Sequence, residues 1–444
     1  MQEPLGGFPP KIFHHRRERV RADLDDGVLV LPASPVRFRS RDIEYRYRPD
    51  SELFYLTGLT EPEVVAVLSP VDEGLVLFAR EPSPEAELWS GPRLGPEAVR
   101  ELSGADVVHP IEELESRLPG LLSGPRTIYY RLGIDPRTDR LVLGALARGR
   151  ATGSRKGTGP RALVDPGEVL DDLRLIKDEE ELSRIRQATA LSIEGFRAAL
   201  AQAVPGVGEW ELEAVLDGAF RRAGGDGPGY ASIVASGENA CVLHYVDNDH
   251  RVGAGDLILI DAGAAYRLYH ADVSRTVPVG GSFSGEQRAV YEIVEEARSA
   301  AVAATRPGAT VATVHEAAVG IIVAGLLDLG VLEGDPAELT AEGVYKRSFP
   351  HHTSHWLGLD VHDVGDYSTN GTSRVLEPGM VLTVEPGLYF GATAAGGGAA
   401  IERWAGIGVR VEDDVLVTED GCENLTAALP TDPDGIADLV GRGR

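Results

Sequence analysis

AGDLILIDAGAAY (Ala254–Tyr266) and PGMVLTVEPGLY (Pro378–Tyr389) align without a gap. Gly255 falls on Gly379, Asp261 on Glu385 and Gly263 on Gly387, all at one constant spacing. Each copy puts one carboxylate at the end of an apolar strand, just before a glycine. Upstream, VPGVGEWELEAVL from Val204 and RPGATVATVHEAAV from Arg306 form a second matching pair, in which Pro-Gly ends one helix before another begins. The chain from about residue 170 onward therefore reads as an internal duplication of helices followed by strands.

After Asp261 the run LILIDAGAAYRLYHADVSRTV (Leu257–Val277) turns back into a second strand that carries Asp272. With the turn centred on Tyr266 and Arg267, Asp261 and Asp272 stand directly opposite on one face of an antiparallel pair. The matching half supplies Glu385 and, in GIGVRVEDDVLV from Gly406, Glu412. There Gly408, Arg410 and Glu412 alternate away from Ile407, Val409 and Val411. Four carboxylates facing one space cannot all stay ionised without a counter-charge, and two divalent cations supply it. A histidine to complete such a site is available in PHHTSHWLGLDVHDVG from Pro350, which holds His351, His352, His355 and His362 out of 11 histidines in the chain. An oxygen-rich donor set favours a hard metal, manganese before zinc or cobalt. Each piece alone has a plainer explanation, a turn aspartate or a solvated histidine loop. The combination is what points to a metal centre.

A chain of 444 residues exceeds what one hydrophobic core usually supports, so two domains are expected. The first half alternates β-rich runs (GVLVLP from Gly27, VVAVLS from Val64, GLVLFA from Gly74) with helical segments such as PIEELESRLPGLL from Pro110, an α/β pattern. GRATGSRKGTGPRA (Gly149–Ala162) has no periodic apolar face and reads as a solvated loop near the boundary. Asp178, followed three residues later by Glu181, opens a helix whose Leu182, Ile185, Thr189, Ile193 and Phe196 share one face.

A net charge of -26 repels a phosphate backbone, and no arginine stripe offsets it, so nucleic acid is not expected as a partner. The only lysines, Lys11, Lys156, Lys177 and Lys346, reflect compositional bias. The N-terminus lacks the basic start and apolar run of a signal peptide, and the longest apolar run, Ala317–Leu327, is too short to span a bilayer. A cytoplasmic protein with no membrane partner is expected, with Cys241 and Cys422 as reduced thiols. HEAAV from His315 lacks the second histidine of a zinc protease helix, and no serine-hydrolase elbow or P-loop occurs.

Asp261 and Asp272, HWLGLDVHDVG from His355, VEPGLY from Val384 and GVRVEDD from Gly408 resemble, in order and spacing, the metal-site motifs of one peptidase group. It is the Xaa-Pro aminopeptidase (aminopeptidase P) and prolidase group of the pita-bread peptidases. SGENACVLHY from Ser236 resembles a further family segment whose histidine falls on His244, and SRDIEYRYRPDSELFYLTGLTEPEVV from Ser40 looks like the family's N-terminal domain. The resemblance implies an α/β N-terminal domain over residues 1–169. An α+β pita-bread (creatinase/aminopeptidase-like) catalytic domain with an internal pseudo-two-fold duplication follows over residues 170–444.

The resemblance also implies roles. Asp261 chelates one metal, Asp272 and Glu412 bridge, and His355 with Glu385 binds the other. Glu385 shuttles the proton, while His244 and His362 hydrogen-bond the substrate carbonyl or its oxyanion. His351 lines the proline pocket with His244, and Arg410 pairs with Asp261 and contacts Tyr389. Tyr230 and Trp89 match positions near the substrate, the tryptophan one that family members present from a neighbouring subunit of a dimer or tetramer. The implied reaction releases the N-terminal residue of a peptide with proline second. Prolidase, which takes only Xaa-Pro dipeptides, is the alternative, and AELWSGPRLG from Ala86 favours the aminopeptidase. A catalytically inactive pita-bread binding protein is disfavoured because all five ligands are present. GATAAGGGAAIERWAG from Gly391 matches no family motif and reads as a loop without an assigned role.

Overall fold

The structure is a computed structural model that describes residues 7–70, 74–391 and 402–442. The chain divides into two compact units, Met1–Leu173 and Arg174–Arg444. In the first, near-continuous Val/Leu runs form strands buried on both faces: β1 (Val28–Pro32), β2 (Val65–Leu68) and β3 (Leu75–Ala79). With β4 (Val107–Pro110), β5 (Thr127–Tyr129) and β6 (Ala162–Val164) they make a six-stranded mixed sheet in the order β4-β3-β2-β1-β5-β6. Leu114, Leu118 and Leu122, with Val142 and Ala145 of α1 (Pro136–Lys156), pack against Val28, Val30, Val65 and Val67 of the sheet.

α1 corrects one expectation. Residues 149–156, read as the start of a loop, continue the helix, which ends only where Gly157 turns left-handed at φ +73°. Their Gly, Thr and Ser content disfavours nucleating a helix, but extending an existing one adds a hydrogen bond for each residue fixed.

The second unit shows the duplication. α2 (Glu179–Leu200) starts on the Asp178 capping box, with Asp178 accepting from the Glu181 amide at 2.9 Å and Glu181 accepting from the Asp178 amide at 3.1 Å. Leu182, Ile185, Thr189, Ile193 and Phe196 are all buried. α2 packs on α3 (Glu209–Arg222), and the strands β7 (Ile233–Ser236), β8 (Leu257–Asp261), β9 (Ala264–Tyr266), β10 (Tyr269–His270) and β11 (Ser274–Pro278) follow. The second half repeats the plan. α4 (Gly285–Ala304) packs on α5 (Val311–Asp328), then come β12 (Val381–Val384), β13 (Gly387–Tyr389), β14 (Gly408–Arg410), β15 (Asp413–Val417) and β16 (Cys422–Asn424).

The carboxylate-bearing strand of each half pairs antiparallel with a later one, β8 with β11 and β12 with β15. Ile258, Ile260, Leu382 and Val384 share one core. Hydrogen bonds join the halves: the Glu412 amide donates to Ser274 O at 3.1 Å, and the Thr276 hydroxyl bonds both the amide and the carbonyl of Arg410. α5 is long and apolar enough to cross a membrane by length and composition alone, and its Val314, Ala318, Ile322 and Leu326 are buried in this core.

The hairpin after Asp261 differs from the expected register by two residues. Tyr266 pairs with Tyr269, so the turn is Arg267-Leu268, and Asp261 lies opposite Ser274 rather than Asp272. Both turn residues adopt left-handed backbone, at φ 50° and 74°, without the Gly or Asn that signals such a turn. A shift of two preserves the face on which a side chain lies. Residues 392–401 of the expected loop lie outside the described residues.

Candidate metal centre

Of the residues singled out in the sequence, all but Tyr389 and Trp89 line one cleft of about 790 Å³ in the second unit. Trp89 stands on a short helix of the first unit, Pro84–Ser90, and is 86% exposed. Asp261 ends β8, Asp272 and Ser274 lie at the return strand, Glu385 follows β12, and Glu412 sits between β14 and β15. The strand pairs thus deliver four carboxylates to one space.

His355 comes from the irregular segment after Phe349, tied to β12 by the Thr383 amide donating to His355 O at 2.9 Å. Its Nε2 lies 3.3 Å from Asp272 Oδ2 and 3.6 Å from Glu385 Oε1. Nδ1 is 3.0 Å from Trp356 O, and a carbonyl only accepts, so Nδ1 carries the proton and Nε2 faces the carboxylates. Ligand atoms of Asp272, His355 and Glu412 all lie within 4.8 Å of one another. Ser274 donates to Glu412 Oε2 at 2.7 Å, and the Asp272 amide donates to the buried Asp414 carboxyl. The Tyr230 hydroxyl bridges Asp261 Oδ1, at 2.7 Å, and Asp272 Oδ1.

Electrostatics separates these groups. Burial, then Asp272 and Glu385, push the Glu412 carboxyl well above its ordinary range. Burial also raises Asp261, with Arg410 opposing and Asp272 adding to the rise. Burial lifts Glu385 to about 7 against the pull of His355 and Arg410. Burial would raise Asp272 too, but His355 holds it below the usual value. In return, Asp272 and Glu385 overcome burial and lift His355 to about 9. Four carboxylates against two cationic groups, Arg410 and His355, leave the cluster short of positive charge. Four carboxylates with one oriented imidazole are an oxygen-rich donor set that fits divalent cations.

Behind the carboxylates runs a fixed polar chain. Arg410 pairs with Asp261 through Nη2, donates from Nε to Ser274 Oγ at 3.0 Å and from Nη1 to the Tyr389 hydroxyl at 3.0 Å. Tyr389 in turn lies 2.9 Å from His351 Nε2, and His351 Nδ1 lies 2.8 Å from His352 O. The carbonyl requires a proton on Nδ1, so Nε2 accepts from Tyr389. Burial and then Arg410 push His351 down to about 3, keeping this wall uncharged. His244 and His362 are exposed to the cleft, and neither hydrogen-bonds another described residue. His362 stands edge-on to His355, ring centres 4.5 Å apart.

Sequence reasoning missed Ser274, Asp414 and the cleft residues Val311, Ala312 and His315. Ser274 had a signal, being two residues from Asp272 on the same face. His315 had none, since α5 reaches the cleft only through tertiary packing; its Nδ1 meets Thr353 Oγ1 at 2.8 Å.

A duplicated α+β unit whose two halves deliver carboxylates and a histidine to a shared cleft is the pita-bread arrangement of metallohydrolases. Residues 183–419 match the family model for metallopeptidase family M24, and residues 13–129 match the aminopeptidase P N-terminal domain. The chain is 41% identical to the Xaa-Pro aminopeptidase of Escherichia coli over 96% of its own length and 97% of the relative's. Aminopeptidase PepP of Pseudomonas aeruginosa superposes with a TM-score of 0.91 at 43% identity, covering 97% of this chain and 98% of that one. Zinc-substituted E. coli aminopeptidase P in complex with product gives 0.92 at 40% identity, covering 98% and 99%. The chain belongs to metallopeptidase family M24 and, within it, to the Xaa-Pro aminopeptidases.

Proposed function

We propose that this enzyme removes the N-terminal residue from peptides whose second residue is proline, at a dinuclear centre held by Asp261, Asp272, His355, Glu385 and Glu412. The observation that carries the reading is the meeting of four carboxylates and His355 Nε2 in one cleft that His244 and His362 also face. Asp261, Asp272, His355, Glu385 and Glu412 would together hold the two cations. Divalent cations, manganese in this reading, supply there the Lewis acidity that polarises a carbonyl and makes water a nucleophile at neutral pH.

The protein's own groups do the rest. Glu385 takes a proton and passes it toward the leaving proline nitrogen. His244 and His362 donate to the carbonyl oxygen as it gains charge. The carboxylates attract the substrate's free amine. The uncharged His351 wall, fixed through Tyr389 and Arg410, packs against the proline ring, whose locked φ and missing amide hydrogen allow selection by shape. We propose further that the enzyme is cytoplasmic and a homo-oligomer, dimer or tetramer. Trp89, 86% exposed beside the 82% exposed Leu88, supports the latter as an apolar surface suited to a neighbouring subunit.

The test compares manganese-loaded enzyme on Xaa-Pro-Xaa tripeptides, Xaa-Ala-Xaa tripeptides, N-acetylated tripeptides and Xaa-Pro dipeptides. Cleavage confined to free-amine substrates with proline second, tripeptides included, is expected. Hydrolysis of dipeptides without tripeptides moves the assignment to prolidase, and full activity after exhaustive chelation ends the metal reading.

A further inference from the structure

His362 faces the cleft, yet among the described residues it has no hydrogen bond to hold it, and the ring of His355 stands edge-on against it. It lies in the segment from Leu357 to Asp366, which forms no helix or strand. Its place is therefore set by the backbone on either side.

The residue that follows supplies an anchor. Asp363 does not line the cleft; its side chain is 1% exposed and points into a buried charge cluster. Arg174 Nη2 lies 2.6 Å from Asp363 Oδ1 and 2.7 Å from Asp360 Oδ2, and Lys177 Nζ lies 3.0 Å from Asp363 Oδ2. The Arg174 and Lys177 side chains are 2% and 0% exposed. The Asp363 amide also donates to Trp356 O at 2.9 Å, closing the segment on itself. Gly358 keeps the space open: a Cβ there would stand 2.3 Å from Asp363 Oδ2 and 2.8 Å from Lys177 Cε.

Burying these charges gains little stability over apolar packing, because the desolvation cost offsets the attraction. What the cluster does accomplish is geometric. It fixes residues 360 and 363 on both sides of His362 against a segment that is more than 180 residues earlier in the chain. We propose that Asp363, gripped by Arg174 and Lys177, is a positioning residue that holds the His362 imidazole at the distance where it meets the substrate carbonyl. The inference rests on the role given to His362 above.

A double-mutant cycle tests it. Lys177→Met, His362→Ala and the double variant are compared with wild type on an Xaa-Pro-Xaa tripeptide, with manganese content and thermal midpoint measured for each. Lys177→Met alone should lower kcat by about 10- to 100-fold, the scale of a misplaced catalytic group, with KM and metal content little changed. In the His362→Ala background the same change should lower kcat less than about twofold, because residues acting through one another are not additive. Asp363→Asn, which keeps the shape and removes the charge, enters the same cycle in case Lys177→Met fails to fold. Equal losses in both backgrounds, metal loss in parallel with kcat, or no loss at all would overturn the proposal. A manganese-loaded wild type that cleaves no Xaa-Pro bond sinks the functional reading and this inference with it. A working wild type with additive losses sinks the inference alone.

Discussion

Glu385 stands under two opposing demands. Its oxygen lies 3.6 Å from His355 Nε2, and the Thr383 hydroxyl approaches the same oxygen at 3.3 Å, so its position is fixed from the protein side. At the same time, with no cation beside it, burial lifts its pKa to about 7. Glu385→Gln keeps an oxygen and the shape while removing the proton carrier proposed above. Turnover should fall by about 100-fold or more while KM changes little, as steady-state kinetics on a tripeptide will show. Near-normal turnover with intact metal content would move the base elsewhere. Residues such as Asp261 and Glu385 were legible because a carboxylate ending an apolar strand, repeated in both halves, is a local signal. Lys177 was not. Its partner Asp363 lies far along the chain, and an ion pair between distant segments leaves no trace in either neighbourhood.

At the scale of elements, the crossing of the Asp261 and Asp272 strands depends on Gly263. A Cβ there would lie 1.7 Å from Ala271 O and 3.2 Å from the Asp272 amide, both backbone atoms that cannot swing aside. At the equivalent glycine of the other half, Gly387, the nearest atoms belong to the Tyr389 side chain, at 2.4 Å. Gly263→Ala should therefore cost at least the ~1–3 kcal/mol of an overpacked core and weaken metal retention by displacing Asp272. Urea denaturation and metal analysis check both effects, and a variant as stable and as metal-loaded as wild type would refute the argument. Element identities were readable from apolar runs and Pro-Gly breaks. The two-residue register shift was not, because Arg267 and Leu268 take left-handed backbone that neither residue type advertises. The end of α1 escaped for a related reason: its composition argues for a loop, and only the helix already formed from Pro136 carries it onward.

For the whole molecule, metal uptake and proton release are coupled. Without metal, Asp272 and Glu385 overcome burial to keep His355 charged up to about 9, and burial keeps Glu385 partly protonated near 7. Cations compete with these protons, so apparent metal affinity should rise from about pH 6 to pH 9 and level off above. Calorimetric titration at pH 7 in buffers of different ionisation enthalpy should show more than one proton released for each protein loaded. A constant affinity across that range would mean these groups do not hold the metal. The same five residues also span the second unit from Asp261 to Glu412, and the Asp261 charge waits for Arg410. A polypeptide emerges from the ribosome N-terminus first, and its domains fold as units. A chain paused between residues 385 and 410 already carries Asp261, Asp272, His355 and Glu385 but lacks both Arg410 and Glu412. Hydrolytic competence thus arrives late in translation and all at once, and an unfinished copy presents no working blade to the other nascent chains around it.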